Sequence, residues 1–439
     1  MPVVGRRGSS RRAQDPSARS RYHGGVRRSI ASNTWLPLLI AVLFGCAEGT
    51  EPPPVPDDGT GGALDDGTGP GNAASGDGDG DGGDGDGDAG TGGGDGDGDG
   101  DGNGDGDGDG DVSPGLKRKV LTIQGSQVPA AQPGFPVLVR ITDADLAAGA
   151  DPAGLDIYFE SVGGAPLAFE RESYDSATGT LVAWVTMTLT GSDQPFDLYY
   201  GDGDQTEKSS PADVWGVGFA AVYHMGGGGA SEADSSGNTN NLTAASTPPA
   251  DVPGQIGRAL DFEGGATWLT APDSPSLDIS SEVTISAWAR TSANNPSWWE
   301  AMVSKRIGFD TVNYHLGLGG PTSERNVLWY DGNPNLPPAS DHPLADETPT
   351  LIAVTVKSGT CSWYFDGVLQ GPEAGCGLTP NDGLLYVGGF DQQTDEVFHG
   401  WLDEVRIASV ARSTNWLLTE FNNQKADSTF MTVGPEQDP

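Results

Sequence analysis

The side chains that could do chemistry in this 439-residue chain are scattered rather than clustered. Its five histidines, His23, His224, His315, His342 and His399, form no His-Glu-x-x-His pair, so no zinc-hydrolase helix is expected. No Gly-x-Ser-x-Gly elbow occurs to present a serine nucleophile. Retaining glycoside hydrolysis needs two carboxyls about 5–5.5 Å apart across the sugar bond. The nearest acid pairs, Asp395-Glu396 and Asp403-Glu404, are adjacent in sequence. A regular strand turns adjacent side chains to opposite faces, so neither pair is expected to act. Glu170 and Glu172 lie two apart and share a strand face, read here as facing solvent. Asp143 and Asp145 read as caps of a short turn before Leu146. No catalytic residue is expected, and the chain is not read as an enzyme.

Binding fits the remaining residues better. Carbohydrate sites stack sugar rings on exposed aromatic faces and bond hydroxyls to Asn, Asp and Gln. The polar loop 294–300 carries Trp298 and Trp299, and Trp329-Tyr330 followed by Asp331 forms a second candidate edge. These four aromatic residues are the expected ligand-binding positions. The glycine run 226–229 has no helix signal after it, so it reads as a flexible loop rather than a phosphate cradle.

The elements that must position these residues are strands. Short alternating or β-branched segments at 119–123, 136–142, 155–159, 181–189 and 196–200 are separated by Gly, Pro, Asp and Ser clusters. They predict an antiparallel β-sandwich over 113–212. In 181–189 one register turns Leu181, Ala183, Val185, Met187 and Leu189 inward. A longer set follows at 259–262, 267–269, 283–290, 302–305, 314–318, 327–330, 351–356, 362–365, 384–387 and 402–407. That number of strands predicts a two-sheet jelly roll over 213–434. Val283, Ile285, Ala287 and Ala289 share one face there, with Trp288, Thr284 and Ser286 on the other. The fold class is all-β.

Charge divides the rest of the chain. Eight of 23 basic residues fall within the first 28 positions beside one acid, Asp15. An apolar run, 35–44, follows, too short to span a bilayer as a helix, which needs about 20 residues. Basic stretch, short apolar run and small residue are the parts of a secretory signal over 1–46. From 57 to 111 the chain holds 18 Asp and 25 Gly with no basic residue. Nothing there can bury apolar area to offset chain entropy, so 47–112 is expected to be a disordered acidic linker. A Gly-rich coil of that length spans roughly 40 Å, further with charge repulsion, which suits a stalk. Asp105, Asp107 and Asp109 copy the first half of an EF-hand loop, but position 12 is Leu116 where a bidentate Glu is needed. So acidic a chain repels phosphates, and nucleic acid is excluded as a partner.

Three resemblances sharpen this reading. Leu43-Phe44-Gly45-Cys46 resembles the lipobox of bacterial lipoproteins, which implies lipidation at Cys46. Ala47 in place of the inner-membrane retention Asp implies an outer-membrane anchor, facing periplasm or cell surface. Cys361 and Cys376 then remain in an exported chain, flank a hairpin turning at Asp366-Gly367, and are expected to form a disulfide. Segments 135–139, 142–146, 153–157, 178–184 and 198–201 resemble a bacterial family of unknown function that commonly precedes LamG-like modules. Segments 234–240, 257–262, 284–288, 364–367 and 400–407 resemble the LamG-type, concanavalin A-like lectin/glucanase jelly roll. The tail 411–424 adds a further match. That resemblance implies a structural calcium held by Asp234, Asn238, Asn240 and Asp403, all hard oxygen donors.

The sequence therefore leads to a lipid-anchored, non-catalytic binding or adhesion module for carbohydrate, matrix-like ligands or a cell-surface protein. Two alternatives stay open: an envelope scaffold that binds a protein partner, and a glycoside hydrolase.

Overall fold

The computed structural model describes residues 115–439 except 217, 263–266, 294–298, 320–324, 333–338 and 391–395. The leader with Cys46, the acidic linker and Trp298 lie outside the described residues. Regular structure is almost wholly β, with α-helices at Ala144–Gly149, Pro211–Trp215 and Thr414–Gln424. None of the described helices is long and apolar enough to cross a membrane.

The first sandwich pairs a four-stranded and a three-stranded sheet. The larger runs Met431–Gln437, Lys117–Ile123, Gln194–Tyr200, Tyr158–Ser161; the smaller runs Gln132–Thr142, Thr180–Leu189, Phe169–Asp175. Leu181, Ala183, Val185, Met187 and Leu189 are buried in its core with Phe135, Phe159 and Phe196, in the register their alternation requires. Asp143 caps helix Ala144–Gly149 by accepting from the backbone N–H groups of Asp145 and Leu146. Lys119, itself buried, bridges Asp143 at 2.8 Å and Asp145 at 2.7 Å. One strand of this sandwich comes from the far end of the chain: Met431 pairs with Ile123, Val433 with Leu121 and Glu436 with Lys119. Its Gly434 and Pro435 are tolerated because the strand lies at the sheet edge.

The second sandwich packs two eight-stranded antiparallel sheets. In one, Glu282–Thr291 lies between Gly400–Ala408 and Thr350–Lys357; in the other, Trp299–Ile307 lies between Thr311–Gly319 and Leu384–Val387. Val283, Ile285, Ala287 and Ala289 share one core with Met302, Tyr314, Leu316, Val327 and Trp329. Cys361 and Cys376 form a disulfide with 5.7 Å between their Cα atoms, buried in that core. Between them Asp366 (φ 51°) and Gly367 (φ 74°) turn the hairpin with two left-handed residues, as a type I′ turn requires.

Helix Thr414–Gln424 is wedged between the two sandwiches. Ser413 caps it by accepting from the Trp416 N–H. On one side Trp288 donates from Nε1 to Gln424 Oε1 at 2.7 Å. On the other, Trp416 packs against Phe135 with ring centres 4.8 Å apart. Asn423 accepts from the Leu138 N–H at 2.7 Å and donates to the Leu138 carbonyl at 3.1 Å, completing the edge strand Gln132–Thr142 with a side chain. Core residues of the first sandwich therefore run without a break into Ala353, Tyr364, Trp416 and Leu417.

Candidate functional site

The densest polar chemistry among the described residues lies where the sandwiches meet. Strand Phe169–Asp175 presents Glu170 and Glu172 on the face that carries Trp184 of the neighbouring strand. The alternation read from sequence is right, but the face is covered by the second sandwich: both carboxylate side chains are only 9% exposed. His224, just after strand Phe219–Tyr223, receives them. Its Nε2 lies 3.0 Å from Glu170 Oε2, and its Nδ1 lies 2.8 Å from Glu404 Oε1 and 3.6 Å from Glu172 Oε2.

The expectation that Asp403 and Glu404 point to opposite faces fails for a local reason. Ser286 pairs with Arg406 but Trp288 pairs with Asp403, so an extra residue is inserted opposite Ala287. Glu404 sits in this bulge at φ 51°. Leu402, Val405 and Ile407 still face the jelly-roll core, while Asp403, Glu404 and Arg406 all turn toward the first sandwich. Arg406 bonds Glu404 at 2.6 Å and Glu420 at 2.8 Å, with its guanidinium 4.4 Å from the Trp184 ring centre and 4.8 Å from that of Trp215.

Burial sets the electrostatics of this cluster. It opposes charge on His224, yet Glu404 and Glu170 outweigh it and hold the imidazole well above its ordinary pKa. Burial pushes the Glu172 carboxyl up to about 7. Asp403, wholly buried, is raised well above the carboxylate range by burial and then by the Glu404 charge. Glu404 goes the other way, because His224 and Arg406 outweigh its burial. Trp184 donates to Glu172, and Trp215 and Ser235 donate to Glu170.

The four residues expected to hold calcium divide between two hydrogen-bonded groups. Asp234 Oδ1 accepts from the N–H groups of Val222 and Ser236, and its Oδ2 accepts from Asn240 N–H. Asn238 and Asn240 donate their amide N–H groups to the carbonyl of Ala220. These three organise the loop over strand Phe219–Tyr223. Asp403 belongs instead with Glu172, His224 and Glu404, and its Oδ2 accepts from Ile256 N–H at 2.8 Å.

The expected aromatic positions divide by face. Trp329 is fully buried between the sheets, whereas its neighbour Tyr330 lies on the outer face, 8% exposed. There the half-buried Trp299 packs edge-on against Tyr330 at 5.7 Å and stacks over His315 at 6.2 Å. Burial, then Arg306, keeps the His315 ring beneath Trp299 well below its ordinary pKa. The strip continues through Arg306, whose guanidinium lies over Phe390, to Phe309, which is 49% exposed. Phe309 was not singled out in the sequence because a lone aromatic in a Gly-Phe-Asp turn carries no periodic signal. A separate cleft of about 380 Å³ is lined by Phe219, Asn238, Ser276, Asp278 and Ser409.

No curated protein sequence matches the chain significantly. Among solved structures, the binding domain of Paraclostridial mosquitocidal protein 1 is similar at 16% identity and a TM-score of 0.39, over 47% of this chain and 52% of that one. Domain 4 of an extracellular arabinanase from Geobacillus stearothermophilus, in complex with arabinotriose, is similar at 20% identity and a TM-score of 0.36, over 46% and 97%. The ligand-binding domain of botulinum neurotoxin serotype D, in complex with N-acetylneuraminic acid, gives 13% and 0.38, over 49% and 53%. The chain thus spans about half the length of the two toxin domains. Residues 263–417 match the concanavalin A-like lectin/glucanase superfamily, and this part of the chain is a concanavalin A-like lectin/glucanase domain.

Proposed function

We propose that this chain is a non-catalytic carbohydrate-binding module, carried on an acidic stalk from an outer-membrane lipid anchor at Cys46. The observation that carries the reading is the outer face of the second sandwich, where Trp299 stands half-buried on Tyr330 and His315. A ring held at its base by two others is pre-ordered for stacking, and holding it costs little further side-chain entropy on binding. Phe309, exposed beside the buried Arg306 guanidinium, adds a second aromatic that solvent reaches. The lectin/glucanase match of the domain supports a sugar as the ligand class. The anchor and stalk rest on the sequence pattern of the leader and linker.

A glycan array probed with the chain freed of its leader tests the ligand. Wild type is expected to bind a small set of polysaccharides or oligosaccharides, and Trp299→Ala to lose at least tenfold in affinity while its Tm is little changed. Silence across the array, or unchanged binding by Trp299→Ala, removes this face as the site. Globomycin treatment of expressing cells tests the anchor: accumulation of an unprocessed precursor is expected, and a Cys46→Ser variant is expected in the soluble fraction.

A further inference from the structure

The His224 cluster has more acceptors than donors. Nδ1 faces two carboxylates at once, Glu404 at 2.8 Å and Glu172 at 3.6 Å, and a single N–H cannot point at both. The ligand atoms offered by Glu172, His224 and Glu404 all lie within 4.8 Å of one another. A tetrahedral ion with bonds of about 2.0–2.2 Å spaces its ligand atoms about 3.3–3.6 Å apart, so the widest pair would close by about 1.5 Å at most. On the far side of the ring, Glu170 accepts from Nε2, the arrangement that fixes a metal-binding imidazole with its other nitrogen free to ligate.

A second observation is independent of these contacts. Asp403 Oδ1 is fully buried with no hydrogen-bond donor, on a carboxyl close enough to Glu404, Glu172 and His224 to feel their charges. The positive groups facing the four acids are Arg406, bonded to Glu404, and Arg140, beside Asp403 and Glu172. With all four acids ionised in the metal-bound state, a divalent cation and a neutral imidazole would bring these groups to zero net charge. Glu420, the remaining acid at the cluster, pairs with Arg406 and lies beside Arg412.

We propose that Glu172, His224 and Glu404 hold a divalent metal ion of the zinc class, with a water in the fourth position. An imidazole among the ligands favours zinc over calcium, which takes six to eight oxygens. Glu172 comes from the first sandwich and the other two ligands from the second, so the ion would staple the two. Its entry requires His224 to give up its ring proton from Nδ1 to solvent.

The test uses the full chain stripped with chelator, titrated with Zn2+ at pH 7 in two buffers of different ionisation heat. Metal content is also measured after unfolding and refolding with equimolar Zn2+. One zinc per chain by either route is expected, with at least one proton released and a raised Tm. Because His224→Asn removes contacts to three acids and threatens folding, Glu172→Gln, which keeps an acceptor for Trp184, is the second variant. It is expected to weaken zinc at least tenfold, and Glu170→Gln to weaken it about 10- to 100-fold. No zinc uptake by either route, or uptake unchanged in Glu172→Gln, overturns the proposal.

Discussion

Glu172 shows what a residue pattern reveals and what it leaves out. Its spacing from Glu170 fixed a shared strand face, since side chains alternate with period two. Whether that face met water depended on Glu404 and His224, far along the chain, and no local signal carries that. Asp366 is a local case with a clear consequence. Burial raises its carboxyl pKa, partly offset by the bond from Leu351 N–H. A carboxyl raised in the fold contributes stability that is present below its unfolded pKa and lost as pH rises through the folded one. Asp366→Asn keeps the acceptor for Leu351 and gives the Asn-Gly pair that type I′ turns favour. Thermal melts are expected to show a higher Tm for this variant at pH 7, with the difference closing as pH falls toward 3. Asp234→Ala strips three backbone N–H groups of their acceptor and is expected to cost about 2 kcal/mol or more in denaturant unfolding. Melting in chelator against calcium reads the calcium expectation separately: a fall of several degrees supports it, and no shift removes it.

At the scale of elements, central strands were legible and connectors were not. Strands 181–189 and 283–290 alternate cleanly and form as read, because each has one face on a core. Helix Thr414–Gln424 showed no single apolar stripe, since its buried set includes Thr419, Glu420, Asn423 and Gln424 as well as Trp416 and Leu417. It packs on both sandwiches, so polar side chains facing inward meet backbone and charged partners. Trp416→Ala is expected to cost about 3–5 kcal/mol, because it empties a site packed against Phe135. The bulge at Glu404 escaped the sequence for another reason: it inserts one residue without any Gly or Pro to mark it. The Cys361–Cys376 bridge closes 15 residues, and its reduction is expected to lower stability by roughly 3 kcal/mol in the loop-entropy model.

For the whole molecule, composition distinguishes a basic N-terminal stretch and an acidic Asp/Gly run from two β-rich segments, and the described residues form two sandwiches. What it did not reveal is how closely they are joined, by strand Met431–Gln437 returning to Lys117–Ile123 and by the polar cluster at His224. Deleting 431–439 is therefore expected to destabilise the first sandwich, read as early loss of hydrogen-exchange protection in 117–123. The proposed binding of sugars without cleavage is checked by co-sedimentation with the best polysaccharide from the array. The length of the recovered polysaccharide is measured in the same sample. Wild type is expected to sediment with the polymer and return it at its starting length, while Trp299→Ala stays in solution. Shortened polymer, or a Trp299→Ala variant that sediments as well as wild type, would contradict that proposal.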